Sequence, residues 1–339
     1  MNTFMKKLFG KSTPAPAGFN PQLLEPAAKA QANAYGASGS VTDSFKTVQA
    51  TLVAAGQRNL QDPATHARLA ERLTSDIQAL RPFSLLRIGD GEGDVLFWTL
   101  HAKAFPELAQ YCMGKILRLM FGRFAPTANA WDRFAATVHQ AVQGATYLGF
   151  PTPNQANMTL QALADPFGDG FDVRGKIGVV AVWDWLGRQP EAWLSKPDTV
   201  WVNWHVHKSL LDILPGLIKT AGMVSVISCH PEVLGLLHDK NGVAKGRAIL
   251  IPPQASSAGA DLGEFHYPGA FDKICSDLER QDLTGELFLV GAGLLGKYYC
   301  DLIRRRGGMA IDVGSMMDVW VGKSARRYQT AEFIEKHRL

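Results

Sequence analysis

Closely spaced cysteines are absent from this chain: Cys112, Cys229, Cys275 and Cys300 lie far apart and form no C-x-x-C pair. A disulfide framework is excluded by that spacing, which predicts reduced, mostly buried thiols in a cytoplasmic protein. No unbroken apolar run reaches about 18 residues, so no segment is expected to span a bilayer. A dominant charge is missing too. The 35 Lys and Arg exceed the 31 Asp and Glu by four, too few and too scattered to predict a nucleic-acid partner. The opening, MNTFMKKLFGKSTPAPAGFNP, carries lysines but no apolar stretch after them, which argues against a secretory signal. Met1, Phe4, Met5, Leu8 and Phe9 beside Lys6, Lys7 and Lys11 leave room for a weak peripheral contact at the inner membrane face.

What is present suits a globular α/β protein. Hydrophobic residues make up 46% of 339 positions, enough for a sizeable core. Residues 1–40, rich in Ala, Pro, Gly, Ser and Asn, predict a disordered lead-in, and 41–339 a single domain. Helical spacing predicts helices over 42–56 and 63–80, the second opened by Asp62 and Pro63. The strand FSLLRI follows, then an acidic turn, then helices through ELAQYCMGKILRLMF and AWDRFAATVHQAV. From residue 146 short apolar stretches alternate with helices: TYLGF, KIGVVAVW, TVWVN, MVSVIS, RAILIP, LFLVGA and MAIDVG all read as strands. The helices between them are expected over 206–219, 231–239, 268–280 and 293–306. This alternation predicts a Rossmann-like, mostly parallel sheet covered by helices, with a helical insertion after its first strand. Ligands of such sheets bind at the carboxyl ends of the strands, where both motif-bearing turns fall, so the two are expected to share a cleft.

The first turn is Arg87-Ile88-Gly89-Asp90-Gly91-Glu92-Gly93-Asp94. Gly89, Gly91 and Gly93 permit close backbone approach, and Asp90 and Glu92 can point the same way. Hard cations such as Mn²⁺ or Mg²⁺ favour such oxygens and bridge to a substrate phosphate, with Arg87 available to balance charge. The competing structural reading has Asp90 capping the next helix and Glu92 in its first turn.

The second turn, Gly291-Ala292-Gly293-Leu294-Leu295-Gly296, is a G-x-G-x-x-G sequence after a strand and at the head of a helix. A second strand ends in Asp312, about 20 residues on, as a dinucleotide-binding unit requires. That context favours NAD. Against it, the unit closes the domain instead of opening it, and the acidic turn has no role in hydride transfer. Any diphosphate suits the same loop, a nucleotide sugar included.

Further residues at expected strand ends are Asn203, His205 and His207, read as substrate contacts since no partner set completes a zinc site. His230, in ISCHPE, is a candidate proton acceptor. The glycine-rich loop 252–271, with Glu264 and His266, suits a flap over a ligand.

Together RIGDGE and the later glycine turn with Tyr299, Asp301 and AIDVGSMMDVW resemble the GT-D-fold bacterial glycosyltransferases, over about residues 80 to 325. That resemblance implies a metal-bound nucleotide-sugar donor held by Arg87, Gly89, Asp90, Gly91 and Glu92, with Gly291, Gly293 and Gly296 supporting the donor. It also marks a departure, because this chain has Ser315 where many members carry a histidine after the glycine. A serine cannot serve as the proton acceptor, which leaves His230, Asp312 and Asp318. The function so implied is transfer of a hexose from a nucleotide diphosphate, a UDP-hexose in the first place, to a saccharide or glycoconjugate acceptor. An NAD-dependent oxidoreductase, a metal-dependent phosphohydrolase and a non-catalytic nucleotide-sugar binding module are the alternatives.

Overall fold

The structure is a computed structural model that describes residues 21–54, 62–121, 128–163, 173–195, 200–201, 210–243, 245–254, 266–326 and 329–339. The chain divides into two compact units. The first holds residues 1–58, 88–143 and 150–204; the second holds 59–87, 144–149 and 205–339. Strands in chain order are β1 (Phe83–Arg87), β2 (Tyr147–Gly149), β3 (Val200–Trp201), β4 (Val224–Ser228), β5 (Ala248–Leu250), β6 (Leu287–Val290) and β7 (Met309–Asp312).

The second unit is an α/β, Rossmann-like fold. Its six strands pair parallel throughout, in the order β2-β1-β7-β6-β4-β5. β1, β4, β6 and β7 are nearly all apolar because helices cover them; Phe83, Leu86, Val226, Leu289 and Ile311 have no more than a trace of exposed surface. The helix Gly293–Arg305 packs on β1, β6 and β7. The helix Pro63–Gln78 starts as expected, with the Asp62 carboxylate accepting from the Thr65 N–H at 3.1 Å and Pro63 in the first turn.

Among its described residues the first unit is helical apart from β3. Two expectations change here. Pro21–Gly36 is a helix, so the lead-in read as disordered over 1–40 is ordered from residue 21. Ala28, Ala32 and Tyr35 explain why, since all three are fully buried against Phe97, Leu108 and Cys112. Nor is KIGVVAVW a strand; it lies within the helix Val173–Gly187. An almost unbroken apolar run suits a helix buried on all sides as well as a strand, and Ile177, Val180, Ala181, Trp183 and Trp185 are indeed all buried. Gly178 of this helix meets the helix Asp90–His101 so closely that a Cβ would stand 2.0 Å from the Asp90 carbonyl oxygen. At Gly93 a Cβ would stand 1.8 Å from the Gly178 carbonyl oxygen. Two of the glycines in this unit are therefore fixed by backbone-to-backbone packing.

A polar centre sits within these helices. Asp184, essentially buried, accepts from Ser44 Oγ at 3.0 Å and Arg188 Nε at 3.2 Å, and lies 2.5 Å from His101 Nε2. Burial alone would push its pKa up; the His101 and Arg188 partners hold it below the ordinary carboxylate value.

Candidate functional site at the carboxyl edge of the sheet

Strand register decides which residues of the second unit meet. Leu85 aligns with Ile311, Val290 with Asp312, and Ile227 with Val290. Continued past the strand ends, the same alignment carries Arg87, Val313, Gly291 and Ser228 into one row across β1, β7, β6 and β4. Three strand spacings make that row about 14 Å long.

Arg87 stands at one end. A Cβ on Gly314 would lie 3.7 Å from Arg87 Nη2 and 3.8 Å from Asp312 Oδ1, so the guanidinium reaches the turn after β7. Gly314 has φ +52, a conformation that glycine adopts without strain. At the other end, His230 Nε2 lies 2.9 Å from Asp318 Oδ1. The imidazole is largely buried, while the Asp318 carboxylate keeps 26% of its surface. The His230 backbone N–H donates to Ser228 Oγ at 3.1 Å, tying the residue to the end of β4. Beside them, burial first and the Asp318 charge second push the Cys229 thiol up, so it stays protonated at neutral pH.

The glycine turn has a different character from the one its motif suggests. The Gly291 N–H is spent on the Ile227 carbonyl at 2.8 Å, and a Cβ there would strike Met317 Cγ at 2.3 Å. Gly296 lets the helix close on Val290, whose Cγ1 would be 3.3 Å from a Cβ. Gly293 alone of the three is exposed, at the start of its helix with φ +56. Asp312 is fully buried. Its Oδ2 lies 2.7 Å from Lys297 Nζ, itself 1% exposed, and its Oδ1 accepts the Gly314 N–H at 3.1 Å. A carboxylate so enclosed is closed to a ribose and poorly placed as a proton acceptor. That weighs against both the dinucleotide reading and Asp312 as the base.

The acidic turn belongs to the first unit. Asp90 and Glu92 fall in the first turn of the helix Asp90–His101, where their charge favours the helix N-terminus. Glu92 is 4% exposed and its Oε2 accepts the Gly89 N–H at 2.8 Å. This is the side-chain half of a capping box; Gly89, having no side chain, cannot supply the other half. Asp90 is half-buried, and Asp94 is fully buried. Among the described residues no group of three or more His, Cys, Asp or Glu is placed to hold a metal ion. With Glu92 turned onto its own backbone, the pair does not fit the two-carboxylate centre for Mn²⁺ or Mg²⁺ expected of it.

Ser315 precedes the short helix Met316–Trp320 and touches Gln329. Asn203, His205, His207 and Glu264 lie outside the described residues. His266 is buried, with its Nε2 2.9 Å from the Tyr299 hydroxyl. Burial pulls its pKa down to about 4. Sequence reasoning passed over Gln329, which no motif marks. No protein-family model, curated protein or solved structure matches this chain.

Proposed function

We propose that this protein is a glycosyltransferase that moves a hexose from a nucleotide-diphosphate sugar, first of all a UDP-hexose, to a saccharide or glycoconjugate acceptor. The observation that carries the reading is the His230–Asp318 pair at the carboxyl edge of an all-parallel sheet. Arg87 stands further along the same edge.

His230 keeps its Nε2 proton and donates that N–H in a hydrogen bond to Asp318, which leaves Nδ1 as the basic nitrogen. In the transfer, the acceptor oxygen bonds to the anomeric carbon as the bond from that carbon to the diphosphate oxygen breaks. The acceptor proton passes to His230 Nδ1, and Asp318 steadies the resulting imidazolium. The leaving diphosphate carries the electron pair away, and its charge is met by the Arg87 guanidinium and the exposed helix start at Gly293. Gly291 and Gly296 shape the turn without touching the ligand. No step passes through a metal at Asp90 and Glu92.

Release of UDP from a UDP-hexose, measured with a panel of acceptors, tests this. We expect His230→Gln to lower kcat about a hundredfold or more, the range of a lost general base, with KM for the donor unchanged. Turnover equal to wild type in that variant would remove His230 from the reaction.

A further inference from the structure

The helix Met316–Trp320, which carries Asp318, is barely more than one turn long and begins without its usual support. Ser315 occupies its N-cap position, yet the serine side chain makes no capping hydrogen bond. At such a position a serine hydroxyl ordinarily accepts an N–H from the first turn. Here the hydroxyl is drawn elsewhere: Gln329 Nε2 donates to Ser315 Oγ at 3.1 Å and to the Ser315 carbonyl at 3.3 Å. The other end of the same amide accepts the N–H groups of Ala325 at 2.7 Å and Arg326 at 2.9 Å. Two donors facing one atom identify it as the oxygen, so the amide orientation is fixed by its partners. Gln329 is 3% exposed, and a buried amide is tolerated only when its hydrogen bonds are met, as all four are here. The loop it grips is also bound to the helix directly, because Lys323 donates its N–H to the Asp318 carbonyl at 2.8 Å.

We infer that Gln329 is a positioning residue for the His230–Asp318 pair. Through Ser315 it sets where the short helix starts, and hence where the Asp318 carboxylate meets the imidazole. The inference rests on the glycosyltransferase reading for its functional meaning, but its structural content can be read without any sugar donor.

The discriminating change is Gln329→Glu. One carboxylate oxygen still serves Ala325 and Arg326, so the loop stays clasped, while the other faces the Ser315 carbonyl oxygen without a proton to share. The experiment records the imidazole ¹⁵N signals of His230 in the full chain, assigned by their loss in His230→Gln. Asp318→Asn supplies the reference for a broken pair. We expect Gln329→Glu to move the His230 signals part of the way toward that reference, and Ser315→Ala, which removes one of the two bonds, to move them less. In turnover, Gln329→Glu should lower kcat on the order of tenfold to a hundredfold, as misplacement of a reacting group does, at unchanged KM. His230 signals that match wild type in a folded Gln329→Glu, or in Ser315→Ala should the first variant not fold, would overturn the inference. If the signals move yet no nucleotide sugar binds, the positioning role stands and the glycosyltransferase reading falls.

Discussion

His266 is a histidine that the fold keeps uncharged. Burial beside Tyr299 lowers its pKa from 6.5 to about 4, and burial likewise drives the Tyr299 hydroxyl upward. Well above pH 6.5 the ring is neutral in folded and unfolded chains alike, and its titration has no effect on stability. As pH falls, the unfolded chain takes up the proton first, so stability drops from pH 6.5 to about 4 and levels off below. A shift of that size corresponds to about 3 kcal/mol. Denaturant unfolding of wild type and His266→Gln across this range should show a fall in wild type larger by about that amount. Parallel pH profiles would contradict the burial argument. Residue by residue, part of the candidate site was legible: Arg87 and His230 stand out by type at the ends of apolar runs. The partners were not, since Asp318 follows His230 by 88 positions and nothing local links Lys297 to Asp312.

Among the elements, the helix Gly293–Arg305 and the strands beside it show how a motif and its usual ligand can part. The G-x-G-x-x-G spacing, the strand before it and the acid after it were all read from the sequence, and the βαβ unit is there. What the pattern could not reveal is that Lys297, one turn into the helix, turns inward to meet Asp312. Breaking such a buried pair strands a charge, which costs about 3–5 kcal/mol, whereas replacing both partners by apolar groups is often neutral. Lys297→Met should therefore be strongly destabilised, and Lys297→Met with Asp312→Leu should recover most of the loss. Chemical denaturation of the three proteins decides it. A double variant as unstable as the single one would indicate a role for Asp312 beyond the pair. The misread helix Val173–Gly187 makes a related point. Its apolar run has no clear period, and its identity was settled by packing on the helix Asp90–His101 through Gly178 and Gly93.

For the whole molecule, strand alternation foretold a parallel sheet correctly, and the helical insertion after β1 was expected in kind but not in extent. Segments before β1 and after β2 join the insertion to make the first unit. Such long-range assembly leaves no local trace except the apolar face of Pro21–Gly36, which low-complexity composition concealed. The acidic turn illustrates the same limit, because its carboxylates were visible and the orientation of Glu92 was not. In the proposed function the carboxyl edge of the sheet receives a nucleotide sugar, with Arg87 on its diphosphate. The decisive measurement is a thermal-shift titration of wild type, Arg87→Ala and Glu92→Ala with UDP-hexoses and with NAD, each with and without Mn²⁺. A ligand held only by the folded chain at about a hundred times its Kd adds about 2.7 kcal/mol. We expect a UDP-hexose to raise the melting temperature of wild type, Arg87→Ala to lose that rise, and Glu92→Ala to melt lower yet keep it. A rise with NAD alone, or one undiminished in Arg87→Ala, would contradict the proposal.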